Sequence, residues 1–168
     1  LLWDEIDDSA RDLISYTQEL LALRNNHIVF RRSRFFHGAT IPGTAVQDVT
    51  WLTPEGEPMD DAAWGNHDNR TLGILLSGQA GERFLTAEGE PEPDDNFLIL
   101  LNAGEKRVTW NLPETNESAP WRVRLSTTYR TGLPSSRRSV TSRIVVGSRT
   151  AVLLVQYRNR SPRKRFRP

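Results

Sequence analysis

The sequence contains two uninterrupted apolar runs of strand length, Phe97-Leu98-Ile99-Leu100-Leu101 and Ala151-Val152-Leu153-Leu154-Val155. Runs of this length and composition are typical of central strands that are covered on both faces. Residues 108–112 and 121–125 instead alternate between apolar and polar side chains, which indicates strands with one wet face. Together these four segments predict an antiparallel β-sandwich.

The region from residue 46 onward repeats this pattern of short apolar runs separated by turn residues. It predicts strands at residues 46–52, 71–77, 97–103, 107–112, 121–126, 143–146 and 151–157. Residues 103–106, Ala-Gly-Glu-Lys, lie between two of these strands and predict a hairpin turn. The long connections are 53–70, 79–96 and 127–138, and only 53–70 carries bulky aromatics that suggest a functional role.

An amphipathic helix is predicted before the sandwich, from a cap at Ser9 to about residue 26. Asp12, three residues after Ser9, completes a short-acid variant of the capping box. Apolar side chains then recur at helical spacing at Ala10, Leu13, Ile14, Leu20, Leu21 and Leu23. A lone helix must bury such a stripe against something, so we expect a neighbouring domain that this sequence does not include.

Composition excludes several classes of protein. The 168 residues, of which 37% are hydrophobic, suffice for one domain or for a domain with an appendage. The absence of cysteine excludes disulfide scaffolds, thiol nucleophiles and cysteine metal sites. His27, His37 and His67 have no metal-ligand spacing, so no metal or cofactor is expected. No apolar run reaches membrane-spanning length and the first residues are acidic, which predicts a cytoplasmic protein without a membrane partner.

Charge is distributed unevenly along the chain. Residues 1–100 hold 18 acidic and 7 basic residues, whereas residues 101–168 hold 3 acidic and 15 basic residues. Six of those bases lie in residues 158–168, a proline-containing segment without acids that predicts a disordered tail. The tail could bind polyanions weakly, but we expect no specific nucleic-acid partner.

Two groups of segments stand out by their order and spacing. The first group is Trp3-Asp4, Arg11-Asp12-Leu13, residues 20–32 and residues 34–38, and the second is residues 48–59 and 61–64, followed by residues 72–78 and 97–103. Together they resemble the bacterial glycogen debranching enzymes, isoamylase-type members of the α-amylase family of glycoside hydrolases. The first group is similar to the last barrel helix and exit segment of that family, and the second to the segment that leads into its C-terminal domain and to the start of that domain. Ile28 departs from the family, which usually has a proline there, and residues 137–149 and the tail match nothing in it.

The resemblance implies a division of the chain and a missing partner. Residues 1–45 would be the final helix and exit segment of a TIM barrel, residues 46–157 a C-terminal β-sandwich that includes the connecting loop 53–70, and residues 158–168 the tail. Enzymes of this family cleave α-1,6-glucosidic branch points of glycogen with an Asp nucleophile, a Glu acid/base and a second Asp, all in the preceding barrel. None of those barrel motifs occurs here, so the resemblance implies a non-catalytic domain whose partners are the barrel and, through it, a branched α-glucan.

Four residues of loop 53–70 and its border are candidates for glucan contact: Trp51, Trp64, His67 and Asp68. Flat aromatic faces pack on sugar rings, and planar polar groups nearby take hydrogen bonds from hydroxyls. The alternative is that both tryptophans hold the loop onto the protein. We expect Trp110 and Trp121 in the core, and the acid pairs 7–8, 60–61 and 94–95 as solvated turn residues. A stand-alone carbohydrate-binding module is therefore the second functional hypothesis, and a nucleic-acid adaptor acting through the tail is the third.

Overall fold

The computed structural model describes residues 6–32, 35–41, 46–80, 93–134 and 139–158. Helix α1 spans Asp8–Asn26 and a short helix α2 spans Asp61–Gly65, with single 3₁₀ turns at Ile28–Arg31 and Gly78–Ala80. The strands are β1 (Val49–Leu52), β2 (Thr71–Leu76), β3 (Asn96–Asn102), β4 (Val108–Asn111), β5 (Trp121–Ser126), β6 (Ser139–Val140), β7 (Arg143–Val146) and β8 (Thr150–Gln156). The tail predicted at 158–168 lies outside the described residues, apart from Arg158.

The strands form two antiparallel sheets, as the sequence predicts. One sheet has six strands in the order β1-β2-β3-β8-β5-β6, and the other contains β4 and β7. The two continuous apolar runs are β3 and β8, which pair over their whole length at the centre of the large sheet. Each predicted strand is present within three residues of its expected bounds, and the prediction of a mainly β protein with an N-terminal helix is confirmed.

A core of large side chains fills the space between the sheets. Trp110 and Trp121 are both buried there, as predicted, together with Leu52, Leu98, Leu100, Val146, Val152 and Leu154. Gly73 makes room for this packing, because a Cβ at that position would lie 2.8 Å from the Trp110 ring. Position 73 therefore sets how closely the small sheet approaches the large one.

The hairpin predicted at residues 103–106 is wrong. β3 belongs to the large sheet and β4 to the small one, so residues 103–107 cross between the two layers. The buried Asn102 amide holds this crossing, since its Nδ2 donates to Lys106 O at 2.8 Å and to Gly147 O at 2.7 Å. Its Oδ1 accepts from Gly104 N at 2.9 Å. Turn composition alone does not distinguish a hairpin from such an arch.

Replacing Asn102 by alanine should lower the free energy of unfolding by about 1–3 kcal/mol, because it leaves backbone groups of the arch without their partner. Urea denaturation measures the loss. Asn116→Ala is the matched control, since this exposed asparagine should change stability by less than about 0.5 kcal/mol. Equal stability of the two variants would contradict the role given to the Asn102 amide.

Helix α1 packs on the other face of the large sheet, which we call the helix-side face. Leu23 of α1 and Val29 of the following turn join Phe97 and Val155 of the sheet in a second buried cluster. The N-cap is Asp7, whose carboxylate accepts from Ala10 N at 2.8 Å, and not the predicted Ser9. Both residues suit the cap position, but Asp7 also places its charge at the positive end of the helix dipole.

The apolar stripe of α1 is only partly covered. Leu13, Ile14 and Leu21 are exposed by 64%, 43% and 54%, whereas Leu23 is the one fully buried residue of this helix. Two ion pairs, Glu19–Arg124 at 3.1 Å and Asp12–Arg130 at 2.8 Å, fix the opposite side of α1 to the sandwich. Among the described residues, no helix combines the length and apolar content that a transmembrane segment requires.

Candidate functional site

The structure brings two of the predicted site residues together. Trp51 lies on the edge strand β1 and Trp64 on α2, with ring centroids 5.9 Å apart and ring planes inclined by 72°. Asp60 caps α2 by accepting from Ala63 N at 2.8 Å, and Met59 N donates to Trp51 O at 2.8 Å. Loop 53–70 therefore folds back along β1 and places the edge of one tryptophan ring against the other, with Trp51 exposed by 38% and Trp64 by 53%.

His67 and Asp68 follow α2 in an exposed turn. The Arg70 guanidinium donates to His67 O at 2.6 Å, and Asp68 N donates to Asn66 Oδ1 at 3.0 Å. These contacts shape the backbone of the turn. Within the part of the chain that the structure describes, neither the His67 imidazole nor the Asp68 carboxylate forms a hydrogen bond with the tryptophan pair.

The tryptophan pair lies at the end of an apolar row on the helix-side face. Trp51 is opposite Ile74 in the sheet register, Ile74 is opposite Ile99, and Ile99 is opposite Leu153. Residues opposite one another share a face, so this row crosses four strands and ends beneath α1. There an open groove of about 430 Å³ separates the helix from the sheet, lined by Leu20, Leu23, Phe30, Ile99, Leu125 and Leu153.

Asp94 is buried, which corrects the prediction that the pair 94–95 is solvated. It is 3% exposed, and its Oδ1 lies 2.8 Å from His27 Nδ1 while its Oδ2 accepts from Val29 N at 3.2 Å. Asp95 is also buried, and its N–H donates to Asp94 Oδ1 at 2.8 Å. The carboxylate thus ties the end of α1 to the start of β3.

His27, Asp94 and Asp95 also offer three potential metal ligands within 4.8 Å of one another. The donors already described occupy the Asp94 oxygens, and Asp95 Oδ1 accepts from Arg158 N at 3.0 Å. This hydrogen-bond pattern explains the burial of the cluster without an ion.

Two buried carboxyl groups are held in the ionised form. Burial raises the pKa of Asp94, but hydrogen bonds from His27, Asp95 and Val29, with the attraction of His27, outweigh it and hold the pKa below the usual 3.8. Burial likewise raises the pKa of Asp48, and hydrogen bonds from His37 N, Arg32 and Val49 N lower it below that value. A general acid for glycoside hydrolysis must instead keep its proton at working pH, so neither carboxyl suits that role.

The sequence of the β-sandwich matches a known protein family. Residues 48–160 match the family described as "Isoamylase, C-terminal". The chain belongs to the isoamylase C-terminal family. The resemblance to isoamylase-type debranching enzymes, identified from the residue order, is thereby confirmed.

Relatives of this isoamylase C-terminal chain are much longer. The glycogen operon protein GlgX homolog of Mycobacterium bovis is 37% identical over 129 residues, which cover 74% of this chain and 17% of the relative. The isoamylase of a Flavobacterium species is 23% identical over 146 residues, covering 86% of this chain and 18% of the relative. The chain therefore spans less than a fifth of the length of these relatives.

A solved structure shares the fold. The pullulanase type I from Bacillus subtilis strain 168, solved with maltose, superposes with a TM-score of 0.51 and 16% sequence identity. The match covers 90% of this chain and 17% of the pullulanase chain. At this identity the likeness shows the fold alone.

Sequence reasoning missed the burial of Asp48, Asp94 and Asp95 in the isoamylase C-terminal chain. Asp48 precedes β1 and Asp94 precedes β3, positions where acids usually remain solvated. The partner of Asp94 lies 67 residues away at His27, and no local spacing indicates such a pair. The position of His27 at the end of the predicted helix was the one available signal, and His27 is indeed the C-cap of α1, with its backbone N–H donating to Leu23 O at 3.2 Å.

Proposed function

We propose that this chain is the C-terminal domain of a glycogen debranching enzyme that hydrolyses α-1,6 branch linkages, and that it stabilises the catalytic barrel without being catalytic itself. Residues 1–45 would be the final barrel helix and exit segment, and 46–157 the domain proper. The parent enzyme would act in the cytoplasm. Family membership and the much greater length of the relatives support this proposal.

The observation that carries the proposal is the uncovered apolar surface around α1. Leu13, Ile14 and Leu21 of α1 are exposed, and Leu20 of the same helix is 40% exposed and lines the open groove. Ile99 and Leu153 of that groove belong to the row that ends at Trp51. Exposed apolar side chains grouped in this way mark a place where another protein surface packs. Burial of each 100 Å² there would contribute about 2.5 kcal/mol before ordering costs.

The non-catalytic role is supported by the state of the acids. Asp48 and Asp94 are buried but held ionised, and each carboxylate is occupied by backbone and side-chain donors. A retaining hydrolase needs one protonated and one ionised carboxyl group on either side of the scissile bond. Neither Asp48 nor Asp94 has an environment that would keep it protonated.

The direct test compares this chain with a longer polypeptide that includes the preceding barrel, both assayed for branch cleavage on glycogen. Only the longer polypeptide should release debranched chains. Branch cleavage by the chain alone, lost on mutation of one of its own acids, would refute the proposal.

A second test concerns the uncovered apolar surface around α1. Leu21→Glu should lower the thermal midpoint of the longer polypeptide, because it places a charge in the interface. The expected loss in the free energy of unfolding is about 1–3 kcal/mol. The same change should leave this chain alone nearly unaffected, since Leu21 is already exposed. Ser15→Glu, an exposed polar position on the same helix, serves as the control. An equal effect of Leu21→Glu in both proteins would place Leu21 outside any interface.

A stand-alone carbohydrate-binding module is the second candidate, because Trp51 and Trp64 form an exposed aromatic pair. It predicts that glycogen retards the chain in an affinity gel. Trp64→Ala should abolish the shift without changing the melting temperature. Unfolding of this variant would instead favour a structural role for the pair.

A further inference from the structure

An open cleft of about 560 Å³ lies between the two sheets, on the face of the large sheet opposite α1. It arises because the two-stranded sheet covers only part of the inner face of the six-stranded sheet. β7 packs over β3 and β8, and in the described parts of the chain no strand covers the inner face beside β5. The volume is within the range of small-molecule sites in proteins.

The cleft has an apolar floor and a polar rim. Val123, Ile144 and Val152 form the floor, and each belongs to or packs against the inter-sheet core. Hydroxyl groups also line the cleft, at the exposed Thr128 and Ser148 and at the buried Ser126 and Thr150. Such a lining matches a ligand with apolar C–H faces and hydroxyl edges.

Tyr129 supplies an aromatic ring to the lining. It is 42% exposed and lies in the turn after β5, where its backbone accepts from Gly132 N at 2.9 Å and donates to Ser126 O at 3.2 Å. The turn therefore holds the residue by its backbone and leaves its ring available. Glu105 and Arg107 are the charged residues of the lining, and Glu105 also pairs with Arg149 at 2.9 Å. One residue of each sign suits an uncharged ligand whose hydroxyl groups donate to the Glu105 carboxylate and accept from the Arg107 guanidinium.

We propose that this cleft binds a segment of linear α-glucan, with the Tyr129 ring packed against the C–H face of a glucose unit. The proposal rests on the proposed function for the identity of the glucan, and on the lining for its uncharged, polyhydroxylated character. A domain docked on the helix-side face would leave the cleft open, because the two surfaces lie on opposite faces of the same sheet. The domain would then hold an outer chain of the polymer that its parent enzyme debranches.

The test measures retardation of the 168-residue chain by glycogen and by linear maltooligosaccharides in affinity electrophoresis. Tyr129→Ala should weaken binding about tenfold. Arg107→Ala, a second exposed position in the cleft, should weaken it severalfold. Tyr157→Ala is the matched control, because Tyr157 is equally exposed, at 43%, and lies outside the cleft. Melting temperatures of all variants should agree.

Each alternative outcome would overturn the proposal. Loss of retardation in Trp64→Ala but not in Tyr129→Ala or Arg107→Ala would place the glucan on the tryptophan pair. No retardation of the unmodified chain would exclude glucan binding by this domain, while branch cleavage by the longer polypeptide would still support the proposed function. A change limited to Tyr129→Ala that coincides with a lower melting temperature, with Arg107→Ala unchanged, would show that Tyr129 is structural.

Discussion

Trp110→Ala should lower the free energy of unfolding by about 3–5 kcal/mol, the usual loss for a large aromatic residue in a packed core. The side chain is fully buried and packs so close to Gly73 that a Cβ at position 73 would lie 2.8 Å from its ring. Truncation would leave a cavity that the strands cannot close, because their registers are fixed by pairing along the sheet. Urea denaturation followed by circular dichroism measures the loss.

Trp110→Phe is the informative companion of that variant. The indole Nε1 is buried without a hydrogen-bond partner among the described residues, so phenylalanine removes an unsatisfied donor while it keeps most of the ring. We expect a loss of about 1–2 kcal/mol. Trp64→Ala on the surface should change the folding free energy by less than about 0.5 kcal/mol. If all three variants were equally stable, Trp110 would not be a core residue.

Asp94→Ala should cost about 3 kcal/mol, because it removes the acceptor of Val29 N–H and leaves His27 without its partner in a buried site. Asp94→Asn retains the size of the side chain and one acceptor oxygen, so it should cost less. Thermal unfolding at neutral pH distinguishes the two variants. Identical midpoints for both variants and the unmodified chain would show that the carboxylate does not tie α1 to β3.

The same carboxylate predicts a dependence of stability on pH. The pKa of Asp94 is lower in the folded chain than the usual 3.8, so the folded state favours the ionised form. This contribution is fully present well above pH 3.8 and is lost as the pH falls through that value toward the folded pKa. Asp48 acts in the same direction. The stability difference between the unmodified chain and Asp94→Asn should therefore narrow between pH 6 and about pH 3, and a constant difference would contradict the assignment.

Local patterns predicted most of the fold. Strands β3 and β8 follow from continuous apolar runs, and β5 from alternation, since side-chain period and burial are coupled in a sheet. The helix was predicted for the same reason, apart from its cap. Helix α2 was missed because five residues are too few for a helical period to emerge from the sequence.

Long-range partners could not be predicted. Asp94 is buried because its carboxylate contacts His27 and the Val29 N–H, which are more than 60 residues away in the sequence. Asn102 holds the arch partly through Gly147 O, which is 45 residues away. Asp94 precedes a strand, which locally indicates a solvated turn, and Asn102 lies at the end of a predicted strand, where its own sequence gives no sign of the arch. The edge-to-face contact of Trp51 and Trp64 likewise depends on how loop 53–70 folds back, although the loop itself was identified by its aromatics.

The uneven cover of α1 has a practical consequence for work with this chain in isolation. Ion pairs hold one side of α1 to the sandwich, and the apolar side chains on its other side are exposed. These exposed side chains can pack against the same helix of a second copy of the chain. Self-association should therefore rise with concentration, and Leu13→Lys together with Leu21→Lys should keep the chain monomeric in sedimentation measurements. The apolar side of α1 that a neighbouring domain would cover is thus the side through which the isolated chain should self-associate.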